Sequence, residues 1–169
     1  VLSATLTYAQ EKKVMVAYFS CTGNTEIVAK AIAQATDATL YRIQPQTAYS
    51  SADLDWRDKE SRSSKEMSDI GSRPALADKN AKAETYDVIF LGYPIWWNVC
   101  PHIINTFIEC YKLDGKTVIP FATSGSSTIE NSVKELKQQY NKINWHTGKL
   151  FNDGTACVKE WAEKVIAVQ

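Results

Sequence analysis

The sequence predicts an α/β chain: a doubly wound, five-stranded parallel sheet with helices on both faces. Three observations predict it. Short apolar runs of strand length alternate with stretches of helical periodicity. Asp87-Val88-Ile89-Phe90-Leu91-Gly92 is apolar without alternation, as a parallel strand covered on both faces must be. The loops after the first, third and fourth strands are rich in hydroxyls, glycine or indole, and an open α/β sheet binds its ligands at such strand ends.

Residues 1–12 read as an N-terminal extension and 13–169 as one domain. Val1 to Ala9, with small residues at Thr7 and Ala9, fits the tail of an export signal as well as a plain extension. A cytoplasmic location is the first expectation and export the alternative. Val14 to Phe19 is the first strand. Ile27, Val28, Ala31, Ile32 and Ala35 then give the first helix its stripe. Thr39 to Ile43 alternates and stops before Pro45, a short second strand.

From Gln46 to Lys82 the chain is polar and holds no strand-like run, with one helix expected over Asp53 to Met67 before Gly71 and Pro74. A connection this long either covers a ligand or is a solvated flap. The third strand, Asp87 to Gly92, runs into Tyr93-Pro94-Ile95-Trp96-Trp97-Asn98. Pro101 opens the next helix, with Ile103, Ile104, Phe107, Ile108 and Tyr111 as its stripe. Thr117 to Ala122 is the fourth strand, in which Pro120 calls for an edge or a bulge because it lacks a ladder donor. Ile129, Val133, Leu136 and Tyr140 mark a helix, Ile143 to Phe151 a fifth strand. Asn152-Asp153-Gly154 is a turn, and Ala156 to Val168 a last helix buried through Cys157, Trp161, Val165 and Ile166.

The stretch that organises the rest is Ser20-Cys21-Thr22-Gly23-Asn24-Thr25, where a buried strand turns sharply into a helix. The free N–H groups of a helix's first turn, with the helix dipole behind them, form an anion site. Ser20, Thr22 and Thr25 add hydroxyls, and no Lys or Arg lies between Ser20 and Ala29. Phosphate would therefore be held by neutral donors. The nucleotide P-loop is excluded because no Gly-Lys-Ser/Thr follows Gly23, and the dinucleotide fingerprint because Gly23 stands alone. A cysteine phosphatase would need an arginine closing the loop after Cys21, and the sequence there has none, so Cys21 reads as a small filler. The loop after the third strand carries Trp96 and Trp97. Adjacent indoles cannot both enter one face of the core, so at least one is free to stack on a flat ligand.

The 19 basic and 19 acidic residues cancel, which argues against nucleic acid or an anionic membrane surface as partner. No apolar run is long enough for a membrane span. Cys21, Cys100, Cys110 and Cys157 form no C-x-x-C pair, and His102 and His146 are far apart, so no metal site is expected. Reduced, mostly buried thiols are the default.

Ser20-x-Thr22-Gly23-x-Thr25 resembles the phosphate loop of flavodoxins. With Gly92-Tyr93-Pro94-Ile95-Trp96-Trp97 and Phe121-Ala122-Thr123-Ser124-Gly125-Ser126, it is similar to a bacterial flavodoxin-like branch with Y-P-I-W-W and F-x-T-S-G loops. The resemblance spans Lys12 to Val168. It implies strand order 2-1-3-4-5, of which flavodoxin is itself the standard instance, with FMN at the switch point. It implies that FMN phosphate is anchored by Ser20, Cys21, Thr22, Gly23, Asn24 and Thr25. The ring would be met by Pro94, Ile95, Trp96, Trp97 and Asn98 on one side and by Thr123, Ser124, Gly125 and Ser126 on the other. Ser126 and Thr128 stand where members often carry glycine. The implied function is electron transfer through the flavin to a redox partner protein or small acceptor, as a monomer or homodimer, with no catalytic acid or base required. The alternative is an NAD(P)H-dependent FMN quinone reductase. The neutral net charge departs from the acidic character of flavodoxin shuttles.

Overall fold

A computed structural model describes residues 10–169. The N-terminal stretch weighed above as an export remnant lies largely outside the described residues. The elements run β1 (Val14–Tyr18), α1 (Asn24–Thr36), β2 (Thr39–Arg42), α2 (Arg62–Ser68), a 3-10 turn (Ala83–Thr85), β3 (Val88–Pro94), α3 (His102–Tyr111), β4 (Thr117–Thr123), α4 (Glu130–Gln139), β5 (Asn144–Trp145), β6 (Lys149–Leu150) and α5 (Val158–Ile166). Among the described residues the strands pair in parallel, in the order β2-β1-β3-β4-β5, with β6 also on β4. The predicted architecture and strand order are both present.

The period of two sorts each strand between two cores. Val16, Tyr18, Val88, Phe90, Ile119 and Phe121 face α1 and α5, packing on Val28, Ile32, Val158 and Ala162. Met15, Ala17, Phe19, Ile89, Leu91 and Tyr93 face the other way, onto Ile103, Ile104, Phe107, Val133 and Leu136 of α3 and α4. Each fully buried Val, Leu, Ile, Phe or Met among them contributes about 1.5–3 kcal/mol. This two-sided burial is why the third strand reads as an unbroken apolar run.

Several expectations are corrected. Residues 53–67 do not form one helix: Ser50 to Ser61 is a series of turns, tied by bonds from Ser50 N and Oγ to Asp53 Oδ2 at 2.8 and 2.9 Å, and only Arg62–Ser68 is helical. Those Asp and Ser side chains compete with the helix for backbone partners until Ser61 caps it by accepting from Ser64 N. The fifth strand is two short ones. Pro120 causes the break, and it is not at an edge: it lies in β4, opposite Leu91 of β3. Val118 O accepts from His146 N at 2.8 Å, and Ala122 O from Phe151 N at 2.8 Å. Pro120, midway between them, turns its missing donor toward the same side, so pairing lapses at His146 to Gly148. Gly148 lets the gap close, since a Cβ there would lie 2.9 Å from Ile129 Cδ1 and 3.3 Å from Pro120 Cβ. Ile27 is 58% exposed, so the stripe of α1 runs through Thr25, Val28, Ala29 and Ile32 instead. Cys157 is exposed, and α5 is buried through Val158, Ala162 and Val165. Of the four free thiols only Cys100 is fully buried.

His102 begins α3 with a buried Nδ1 that has no hydrogen-bond partner among the described residues. Burial, reinforced by the Arg73 charge, lowers its pKa from the ordinary 6.5 against the smaller pull of Glu66 and Asp69. A depressed folded pKa means that the unfolded chain binds the proton first. The stability this neutral ring contributes is present above about pH 6.5 and lost as pH falls through the lower folded value. Urea denaturation between pH 7 and 5 should therefore show stability falling with pH, and His102→Gln should flatten that slope.

Candidate functional site

The site lies where β1, β3 and β4 end together. Phe19 N donates to Gly92 O at 2.9 Å, and Ile95 N to Thr123 O at 2.9 Å, so the three exit loops are laced side by side. A buried strand delivers the chain to Ser20, and Gly23, at φ 93°, makes the reversal into α1. That left-handed conformation is one that glycine adopts without steric cost. Ser20 Oγ accepts from Gly23 N at 3.1 Å, which sets the loop's curvature. No side chain caps α1, and its first ladder bond is Ile27 N to Gly23 O at 3.1 Å. The amides of Thr22, Asn24, Thr25 and Glu26 make no hydrogen bond among the described residues. Those of Asn24, Thr25 and Glu26 are the orphan donors of a helix start.

Thr25 is 1% exposed, and its hydroxyl meets that of Thr123 at 2.8 Å, bridging the first and third exit loops. Thr22 and Asn24 are exposed, joined by a 3.3 Å bond from Asn24 Nδ2 to Thr22 Oγ1. One cation does reach the loop, from outside it. Arg42, ending β2, donates to Ser20 O at 3.3 Å, and its charge lies 3.8 Å from Glu26. Long-range folding supplied a guanidinium that local sequence lacks.

A cavity of about 450 Å³ opens beside the loop, lined by Thr22, Asn24, Ile27 and Val28, by Pro94, Ile95 and Trp96, and by Thr123, Ser124 and Gly125. Phe151, Asn152 and Gly154 close its far side. A second cavity of about 370 Å³ shares Ile95, Trp96, Ser124 and Gly125 with it, and adds Trp97, Ser126, Ser127, Leu54, Trp56 and Ser63. Among the described residues no charged side chain lines either. The first offers hydroxyls and amides, the second indoles.

The two tryptophans part company. Trp96 is wedged edge-on against Phe19 (5.6 Å between centroids) and Tyr49 (5.5 Å). Trp97 is 48% exposed. The reversal that separates them is a two-residue turn in which Trp96 and Val99 exchange 3.0 Å amide bonds. Trp97 and Asn98 both take left-handed φ, 45° and 66°, in that turn. For a bulky side chain that conformation costs about 1–2 kcal/mol. Asn131 Nδ2 donates to Asn98 O at 3.1 Å, latching the turn to α4.

Of the residues singled out in sequence, Thr22, Asn24, Pro94, Ile95, Trp96, Trp97, Thr123, Ser124, Gly125 and Ser126 line one or both cavities. Gly23 and Thr25 shape the turn beneath. Asn98 supports Trp97 without lining either. Ser20 and Cys21 line a different hollow, with Arg42 and Tyr49. Burial pushes the Cys21 thiol up to about 11, which suits a filler rather than a nucleophile. At pH 8, alkylation followed by peptide mass mapping should label exposed Cys157 before Cys21 or Cys100, and Cys21→Ala should leave flavin affinity within about twofold.

Asn152 was read only as part of a turn, yet its Oδ1 accepts from Ser124 N at 2.8 Å and orders the fourth-strand loop. Its position at the carboxyl end of the fifth strand was the available signal. Leu54, Trp56 and Ser63 had no such signal. They reach the site because the 46–75 excursion folds back: Gln46 N bonds Ala75 O, and Ala77 N bonds Gln44 O, both at 2.8 Å. Arg62 braces it, 3.9 Å above the Tyr49 ring, 2.6 Å from Glu66 Oε1 and 2.7 Å from Thr47 O. Tyr49 OH also donates to Glu66.

Among the described residues there is no cluster able to hold a metal ion and no helix long and apolar enough to cross a membrane. Among curated proteins none matches the chain. Solved structures do. A protein of Bacteroides uniformis designated a flavoprotein is 56% identical, with TM-score 0.87 over 90% of this chain and 98% of that one. One from Bacteroides eggerthii, likewise designated, is 50% identical, with TM-score 0.87 over 94% and 100%. A Lactobacillus acidophilus flavoprotein crystallised with FMN shares the fold at 22% identity and TM-score 0.70, over 90% and 99%. The sequence pattern of the flavodoxin family matches residues 13–165, and the chain belongs to that family.

Proposed function

We propose that this chain is an FMN-binding redox protein that passes electrons through its flavin. The observation that carries the reading is the pair of uncharged cavities that share Ile95, Trp96, Ser124 and Gly125 as lining. Unpaired amides at the start of α1 and the hydroxyls of Thr22 and Thr123 serve one end, and the indoles of Trp96 and Trp97 serve the other. A flavin mononucleotide has that polarity, an anion at one end and a flat ring at the other, and the donor set fits it. Thr22, Asn24 and the free amides hold the phosphate. Trp97 stacks on the ring, and backbone groups of Ile95 and Ser124 to Ser126 meet its polar edge. Bound there, FMN supplies one- and two-electron redox chemistry, and the protein's part is to position it and exclude water.

A specific observation favours a second reading, an NAD(P)H-dependent reductase of quinones. Leu54, Trp56 and Ser63 wall the ring end of the site, which suits a small acceptor. The balanced charge also gives little basis for electrostatic docking on a protein. Reconstitution decides both points. The apoprotein should take up FMN one to one and turn yellow; failure to do so overturns the proposal. Steady NAD(P)H consumption with a quinone and no added reductase selects the enzyme. Reduction only through a separate reductase selects the carrier.

A further inference from the structure

Two large indoles on unrelated segments stand exposed at one cavity. Trp97, on the loop after β3, is 48% exposed, and Trp56, in the 46–75 excursion, is 70% exposed. The loop after β4, which closes the remaining side, offers only Ser124, Gly125, Ser126 and Ser127. A ring entering this space meets an aromatic face on the β3 side and none on the β4 side. The excursion brings a further indole, Trp56, to the same cavity.

We infer that Trp56, with Leu54 beside it, is a second aromatic wall for the isoalloxazine, so that the 46–75 segment grips the cofactor and is not a solvated flap. The inference rests on the FMN reading above. Exposed indole area facing a cavity is area that a flat apolar ligand removes from water. Leu54 and Ile95, with the indoles of Trp56, Trp96 and Trp97, give this cavity the apolar lining that suits the ring. The wall is held in place before any ligand arrives. Ser63, 2% exposed, donates its amide to Asp53 O at 2.9 Å across the turns that carry Leu54 and Trp56. Tyr49, at the start of the excursion, packs on Trp96, which lines both cavities. Arg73, near its end, is fixed 3.0 Å from Glu109 of α3. Trp56 is thus a positioning residue for the ring, added by a segment far from the phosphate loop.

Riboflavin, which carries the ring without the phosphate, separates this role from anion binding. Trp56→Ala should weaken riboflavin and FMN by the same factor, about tenfold, as expected for loss of one stacking partner with its buried area. Trp56→Phe should recover most of the loss. In the wild type, FMN should slow amide exchange across residues 53–64, which a merely structural tryptophan would not produce. Unchanged affinities in Trp56→Ala, or no added protection of 53–64, overturn the inference while leaving FMN binding intact. A wild-type protein that takes up no flavin overturns the underlying reading instead.

Discussion

Replacing Thr22 and Thr25 together by Val should weaken FMN binding by about 1.5–3 kcal/mol, roughly 10- to 150-fold, and leave riboflavin affinity nearly unchanged. Valine keeps the shape of threonine and removes the hydroxyl. Thr22 faces the cavity directly. Thr25 acts from beneath: its hydroxyl and that of Thr123 are 2.8 Å apart, and Thr123 lines the cavity. One proton lies between the two oxygens, and the other is free to point at the anion. Removing Thr25's oxygen also strands a buried hydroxyl on Thr123, which costs stability of about 1 kcal/mol. Titration of the apoprotein with both flavins checks the assignment. Equal losses for FMN and riboflavin would show that the change acts on the loop's shape and not on phosphate, and unchanged FMN affinity would remove the anchor altogether.

Gly92→Ala should destabilise the protein by about 3 kcal/mol, the upper part of the range for overpacked cores. For a chain of this length that lowers Tm by roughly 6–12 °C. A Cβ at Gly92 would lie 2.1 Å from Phe121 Cζ and 2.4 Å from Cε2, with the ring locked inside the α1/α5 core. Gly92 and Phe121 are register partners on the two central strands, so neither backbone can move aside alone. Combining Gly92→Ala with Phe121→Leu should cost at least about 1 kcal/mol less than the sum of the two single changes, since the pair is in contact. Gly92 O also accepts from Phe19 N just before the hydroxyl turn proposed to hold the phosphate, so Gly92→Ala should lower FMN affinity as well. A variant as stable as the parent would mean that Phe121 does not lie over this glycine.

Much of this site was legible because it is local. The hydroxyl turn after the first strand, the paired tryptophans after the third and the second hydroxyl turn after the fourth each stand at a strand end that hydrophobic pattern alone locates. The elements that were misread are those governed by partners distant in the chain. Pro120 called for an edge or a bulge, and the sequence could not say which. The proline lies inside the sheet, where the strand beside it is interrupted and Gly148 admits Ile129 and Val133 into the gap. The 53–67 stretch looked helical by composition, but its Ser and Asp side chains bond the backbone in turns and delay the helix to Arg62.

By itself the sequence determined the two-faced parallel sheet, the uncharged hydroxyl turn that leads into its first helix and the strand end that carries the paired tryptophans. Those properties follow from periodicity and from residues adjacent in the chain. Only the tertiary structure decided which indole is free, that Arg42 attends the loop, that Asn152 orders Ser124, and that Trp56 stands at the site. Each depends on loop closures tens of residues apart, and no local pattern encodes where such closures bring their side chains.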